Sequence, residues 1–185
     1  MRFIKKQTWF GMAAVALSLM YTPASKAQLN SGASTVALTA TLAESLTVTV
    51  PTAAVTFPLA PTGTTNGSTP VSITTTWALA GTRTSLSLYA WFASTTALKD
   101  AGTDIIPTSK FNGSINAGAY SAFTGGTAPA AFGGANSKTI FTTSPLTGAF
   151  GGTRTDSLGL QIDTTGLALP ATTYTGTLNI QAQAI

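Results

Sequence analysis

Few side chains in this 185-residue sequence can do chemistry. There are five carboxylates, Glu44, Asp100, Asp104, Asp156 and Asp163, with no histidine and no cysteine. Glycoside hydrolysis needs two carboxyl groups facing each other across a bond. Glu44 is the sole glutamate and sits at a break between two alternating stretches. Asp156 and Asp163 flank one expected strand at an odd spacing, which sends them to opposite faces. Asp100 and Asp104 share a loop whose sequence, Asp-Ala-Gly-Thr-Asp, lacks the acidic density of a calcium loop. Serine and threonine are plentiful, but a hydroxyl nucleophile needs a base; imidazole is absent and nothing in the sequence marks a Ser–Lys pair. Without Cys and His, zinc, haem, copper and iron–sulfur centres lose their usual ligands. The expectation is therefore no enzyme, with no catalytic, cofactor-binding or metal residues and no cofactor.

Aromatic residues offer a different chemistry. Tyr89 and Trp91 alternate along Ser85–Ala93, on the face opposite Leu86, Leu88, Ala90 and Phe92. Two rings on one strand face form either a flat platform for a sugar or a packing surface beneath a loop or at a subunit interface. Trp77 is in phase with Val71, Ile73 and Leu79, which assigns it to the core.

The elements that must position these residues follow from a period of two. Leu46, Val48 and Val50 share a face, then Val55, Phe57 and Leu59, then Val71, Ile73, Trp77 and Leu79, with Ser72, Thr74 and Thr76 opposite. Ser85–Ala93 is apolar on both faces, the mark of a central strand. Residues 61–70 read as a loop around the turn pair Asn66-Gly67, 94–108 as a charged loop, 125–137 as a mobile Gly/Ala-rich loop, and 144–155 as a Gly-rich connection. Shorter strands are expected at 109–116, 119–124, 139–143 and 158–162. Thr173–Ile185 closes the chain, with Tyr174, Gly176, Leu178, Ile180, Ala182 and Ala184 on one face. Gly-Thr-Arg-Thr occurs twice, at 81–84 and 152–155, each expected as a turn that opens a core strand, either by chance or as a pseudo-symmetric pair. Convincing helix signals are absent after residue 27, and at least seven short strands indicate an all-β sandwich or barrel.

The first residues carry a different signature. Arg2, Lys5 and Lys6 precede the apolar run Trp9–Tyr21, and Thr22–Ala27 ends in Ser25-Lys26-Ala27. This is the pattern of a secretory signal peptide over residues 1–27, cleaved between Ala27 and Gln28, with 28–185 as a single domain. The formal charge of +4 comes from nine basic and five acidic residues. Arg2, Lys5, Lys6 and Lys26 leave with the signal, so five of each sign remain. A neutral chain with scattered cations lacks the clustered positive charge that nucleic acid or anionic lipid requires. No later segment is apolar for about 18 residues, so no transmembrane anchor is expected in the mature chain.

Leu169-Pro170-Ala171-Thr172-Thr173-Tyr174-Thr175-Gly176-Thr177-Leu178-Asn179-Ile180 resembles a closing pattern of exported bacterial Ig-like domains, most closely the spore coat protein U and fimbrial-subunit-like group. Thr172 stands where a glycine often falls, and the group's usual disulfide is absent. The resemblance implies an Ig-like antiparallel β-sandwich in a non-enzymatic surface or fimbrial-like subunit. It also implies homo-polymer or other surface-subunit partners, a periplasmic chaperone, and a location in the periplasm, at the cell surface or outside the cell. Such subunits exchange a strand by β-augmentation. Residues 28–42, with Val36, Leu38, Ala40 and Leu42 on one face, are either that exchangeable strand or the first strand of their own domain. The alternative function is a secreted carbohydrate-binding module using Tyr89 and Trp91.

Overall fold

The computed structural model describes residues 31–51, 54–124 and 128–185. The expected signal peptide and the Ala27–Gln28 cleavage site lie outside the described residues. Backbone packing divides the chain into two units, residues 1–40 and 41–185. In the first unit, residues 31–40 form neither strand nor helix and all are exposed.

The second unit is an all-β antiparallel sandwich. Its strands are β1 (Ser45–Thr49), β2 (Thr64–Asn66), β3 (Val71–Ala78), β4 (Leu86–Trp91), β5 (Thr96–Lys99), β6 (Ile105–Pro107), β7 (Phe111–Ile115), β8 (Ser121–Ala122), β9 (Ser137–Thr143), β10 (Gly151–Asp163) and β11 (Asn179–Ala184). One sheet runs β1-β3-β10-β7-β8, with β2 paired to the far end of β10. The second runs β11-β4-β9, and β5 and β6 form a separate hairpin. No helix among the described residues is long and apolar enough to cross a membrane.

Alternation decides which side chains meet between the sheets. Val71 and Ile73 of β3, and Leu158, Leu160 and Ile162 of β10, are buried from one side. Leu86, Leu88 and Ala90 of β4 come from the other. β4 is central in its sheet, as its two apolar faces require. A bulge opposite Leu88/Tyr89 adds one residue to β9, and both Ile140 and Phe141 are buried there. Phe92 packs edge-on against Phe111 and Phe123, with centroids 5.1 and 5.3 Å apart, and Phe57 reaches Phe111 at 5.7 Å.

Where β1, β3 and β10 lie side by side, the outer face of the larger sheet is hydroxylated and uncharged. Thr47, Thr76 and Thr153 form one row and Thr49, Thr74 and Thr155 the next. The hydroxyls of Thr74 and Thr155, and of Thr76 and Thr153, lie 3.2 Å apart. Threonine suits such a surface because its branched Cβ fits the pleat while its hydroxyl meets water.

Several segments differ from the sequence expectation. Residues 35–42 form no strand. Residues 61–70 contain β2, and Gly67 donates its N–H to the Leu160 carbonyl at 2.8 Å. A Cβ at Gly67 would lie 2.5 Å from Val55, so this close approach requires glycine. The charged segment 94–108 holds the β5–β6 hairpin, capped by Asp100, whose Oδ1 accepts the N–H of Gly102 and of Asp104 at 2.9 and 3.0 Å. β10 begins at Gly151, so the second Gly-Thr-Arg-Thr is strand, whereas the first lies in the β3–β4 connection. The closing strand is regular only over Asn179–Ala184; before it, Thr175 makes an isolated bridge with Lys99.

Candidate functional site

The carboxylates and the sheet ends

Each Gly-Thr-Arg-Thr arginine binds a carboxylate. Arg83 donates Nε and Nη2 to Glu44 at 3.1 and 3.0 Å, and the Ala80 N–H donates to the same carboxylate at 2.6 Å. The Arg83 and Ala80 hydrogen bonds hold the Glu44 carboxyl down to about 2. Arg154 forms a bidentate pair with Asp156, both bonds at 2.8 Å, and its guanidinium lies 4.5 Å from the Phe141 ring centroid. Asp156 is the buried partner, its side chain 1% exposed against 43% for Arg154. Burial alone would raise the Asp156 pKa, but hydrogen bonds from Arg154 and Asn116 outweigh it and leave it below the ordinary carboxylate value. Asp156 points inward with Leu158, Leu160 and Ile162, and Asp163 lies on the other face, which separates the two carboxylates as the spacing predicts. Among the described residues, no three His, Cys, Asp or Glu side chains gather to hold a metal.

One Ser–Lys contact exists that the sequence did not mark. Lys138 of β9 reaches Ser121 of β8, its Nζ 2.5 Å from the hydroxyl oxygen and 3.4 Å from the carbonyl oxygen. Burial lowers the lysine pKa, with no cation beside it to add to the effect. Both contacts have the lysine Nζ donating, to the Ser121 hydroxyl and to its carbonyl. Its stem lies over Gly113 and beside Phe123, tying the two sheets together at this edge.

Aromatic residues under a cover

Tyr89 and Trp91 do not form an open platform. Tyr89 is 8% exposed and stacks on Phe132, with centroids 5.7 Å apart and planes 18° apart. Ala128 and Phe132 form a small cluster with the pair, and Gly133 approaches so closely that a Cβ there would lie 2.9 Å from Trp91 Cβ. The cover is anchored by the Phe92 N–H donated to Asn136 O at 3.0 Å. Of the two readings open from sequence, packing beneath a loop describes this geometry. The segment looked featureless in sequence because one phenylalanine among glycine and alanine does its packing.

An open groove and an unpaired strip

The sandwich is incompletely closed along one side. β1 and β11 are the edges of their sheets, neighbours in space without ladder bonds. Beyond them a groove of about 300 Å³ opens between Val50, Val55 and Phe57 on one wall and Gly176, Leu178 and Ile180 on the other. Core residues Val71, Phe92, Phe111 and Leu160, all buried, form its floor. A second cavity of about 490 Å³ continues along Leu59, Leu98 and Thr172–Gly176. Residues 54–60 alternate between exposed and half-buried without belonging to a strand. Pro51, Pro58 and Pro61 remove backbone donors from this stretch.

Val36, Leu38 and Leu42 are 82%, 91% and 86% exposed, and Ala40 is exposed with them. Exposed apolar side chains at every second position make one face of this segment apolar. The sequence pattern identified the strip; it carried no sign of the groove, whose walls are 120 residues apart and meet only through the fold.

No protein family matches this chain, and no curated protein matches it.

Proposed function

We propose that this chain is a non-enzymatic, exported structural subunit, fimbrial-like, that self-assembles at the cell surface by β-strand pairing. The observation that carries the reading is the exposed alternating strip Val36–Leu42. In this reading, the strip of one copy lies against the open groove of another. Backbone pairing supplies affinity, and alternate side chains enter the groove. The ends of the domain support it. Glu44 lies beside Ala80, at the Ala78 end of β3, whereas Val71 at the other end lines the groove. These points are separated by the length of β3, about 24 Å at about 3.4 Å per residue. A donor root and an acceptor at opposite ends make a heterologous contact, which repeats without closing unless a rotation returns it to the start.

The Ig-like character of the sandwich and the kinship with spore coat U-like proteins belong to the same proposal. Tyr174 supports them: its hydroxyl donates to the Pro170 carbonyl at 3.1 Å, a bond back along the chain like that of the tyrosine corner in Greek-key sandwiches. Export through the N-terminal signal and delivery by a chaperone complete the reading.

The test is sedimentation and electron microscopy of the protein with and without residues 28–42. Concentration-dependent oligomers or filaments that vanish on deletion are expected. A monomer at high concentration, unchanged by the deletion, overturns the proposal.

A further inference from the structure

The apolar residues of the strip and of β1 occupy one unbroken parity. Positions 36, 38, 40, 42, 46, 48 and 50 are Val, Leu, Ala, Leu, Leu, Val and Val. The interruption between them is Glu44, at the same parity. In the observed register Leu46 lies opposite Trp77 and Val48 opposite Thr75. A slip of two residues would put Glu44 opposite Trp77, Leu46 opposite Thr75 and Val48 opposite Ile73. Every apolar residue would stay on the inner face, because a two-residue slip preserves the pleat. Hydrophobic pattern alone therefore does not choose between these registers. What distinguishes them is Glu44. In the observed register its carboxylate accepts from Ala80 N, Arg83 Nε and Arg83 Nη2. In the slipped one it would leave all three donors and face an indole.

We infer that Glu44, held by Arg83 and the Ala80 N–H, is the register key of the N-terminal strand. It fixes which residues pair with β3 and so which remain unpaired. It is a positioning residue, a single charge within an apolar row that makes the alternative pairings unfavourable. Its use, presenting a strip of fixed length to a second copy, rests on the strand pairing proposed above; the register lock itself does not.

Cysteine pairs read the register directly, and the chain has no cysteine of its own. Thr47 is opposite Thr76 in the observed register and would be opposite Thr74 after the slip. All three face outward. Directly opposite residues lie about 4.5–5.5 Å apart, within disulfide reach, and diagonal ones about 7–8 Å, beyond it. With Glu44 present, mild oxidation of dilute protein should cross-link Thr47→Cys/Thr76→Cys and leave Thr47→Cys/Thr74→Cys reduced. Adding Glu44→Val should raise the 47–74 cross-link about two- to fivefold, the range expected for loss of an exposed ion pair. If that variant does not fold by far-ultraviolet dichroism, Arg83→Met, which leaves the strand sequence intact, decides: it should raise the same cross-link to a smaller extent. Exclusive 47–76 cross-linking in every folded variant overturns the inference. Because the readout is made on monomer, it is independent of whether the protein assembles; the deletion experiment reports on that separately.

Discussion

Replacing Thr75 by valine should stabilise the protein. Thr75 is 0% exposed, and its hydroxyl has no hydrogen-bond partner. It points between the sheets from β3, directly beside Val48 of β1 and Arg154 of β10. A buried hydroxyl without a partner costs about 1–3 kcal/mol relative to its solvated state. Valine keeps the branched shape and the strand preference while removing that cost. The expected gain is about 1–2 kcal/mol. For a chain of this size each kcal/mol moves Tm by about 2–4 °C, which predicts a rise of about 2–8 °C. Urea unfolding followed by circular dichroism should show a higher midpoint at unchanged m, since the surface exposed on unfolding barely changes. Thr75→Ser is the control: it keeps the hydroxyl, loses a methyl group and should be less stable by about 1 kcal/mol. A valine variant less stable than the parent would refute the reasoning, because it would mean the hydroxyl is satisfied in solution.

Two further perturbations follow from the geometry. Asp156→Ala removes the acceptor for Arg154 and Asn116 from a buried position and should cost about 2–4 kcal/mol by urea titration, softened because Arg154 can turn to water. Folding depresses the Asp156 pKa, so its contribution is present above the unfolded value near 3.8 and lost as pH falls through the folded one. Parent stability should therefore drop below about pH 4, and the acid limb should be shallower in the variant. Gly176→Ala puts a methyl group onto the carbonyl oxygen of Ala97, a backbone atom that cannot rotate away, and should cost about 3 kcal/mol in thermal or urea unfolding.

How far the sequence revealed this arrangement depended on which residues faced inward. β1 and β3 were legible because an apolar face alternates with a Thr/Ser face along each, and β4 because it is apolar on both faces, as a central strand is. The first half of β10 was not, because its inward positions are Arg154 and Asp156. Those charges read as loop until they are seen to neutralise each other over Phe141. β2 was hidden because three polar residues suffice to continue a ladder when β10 supplies the partner. The β5–β6 hairpin was hidden by its charged tip, whose Asp100 serves its own turn. The strip at 35–42 failed in the opposite sense. Alternation reports that a segment is amphipathic, whereas a strand also requires a neighbour's backbone, and β3 gives way to the 79–85 connection before reaching it. The Ser121–Lys138 contact and the groove are products of distant segments meeting, for which no local pattern exists.

The connection from Ala80 to Ser85 has a mechanical consequence. It holds Glu44 through Ala80 and Arg83, and it holds Ile185 through Thr84 and Ser85, whose N–H groups donate to the Ile185 carbonyl at 2.5 and 3.1 Å. Tension drawn along the strand axis at residue 44 meets the arginine clamp first. It then loads the five β1–β3 residue pairs in shear, all together, rather than peeling them one at a time. One six-residue connection thereby anchors both the start of the first strand and the last residue of the chain.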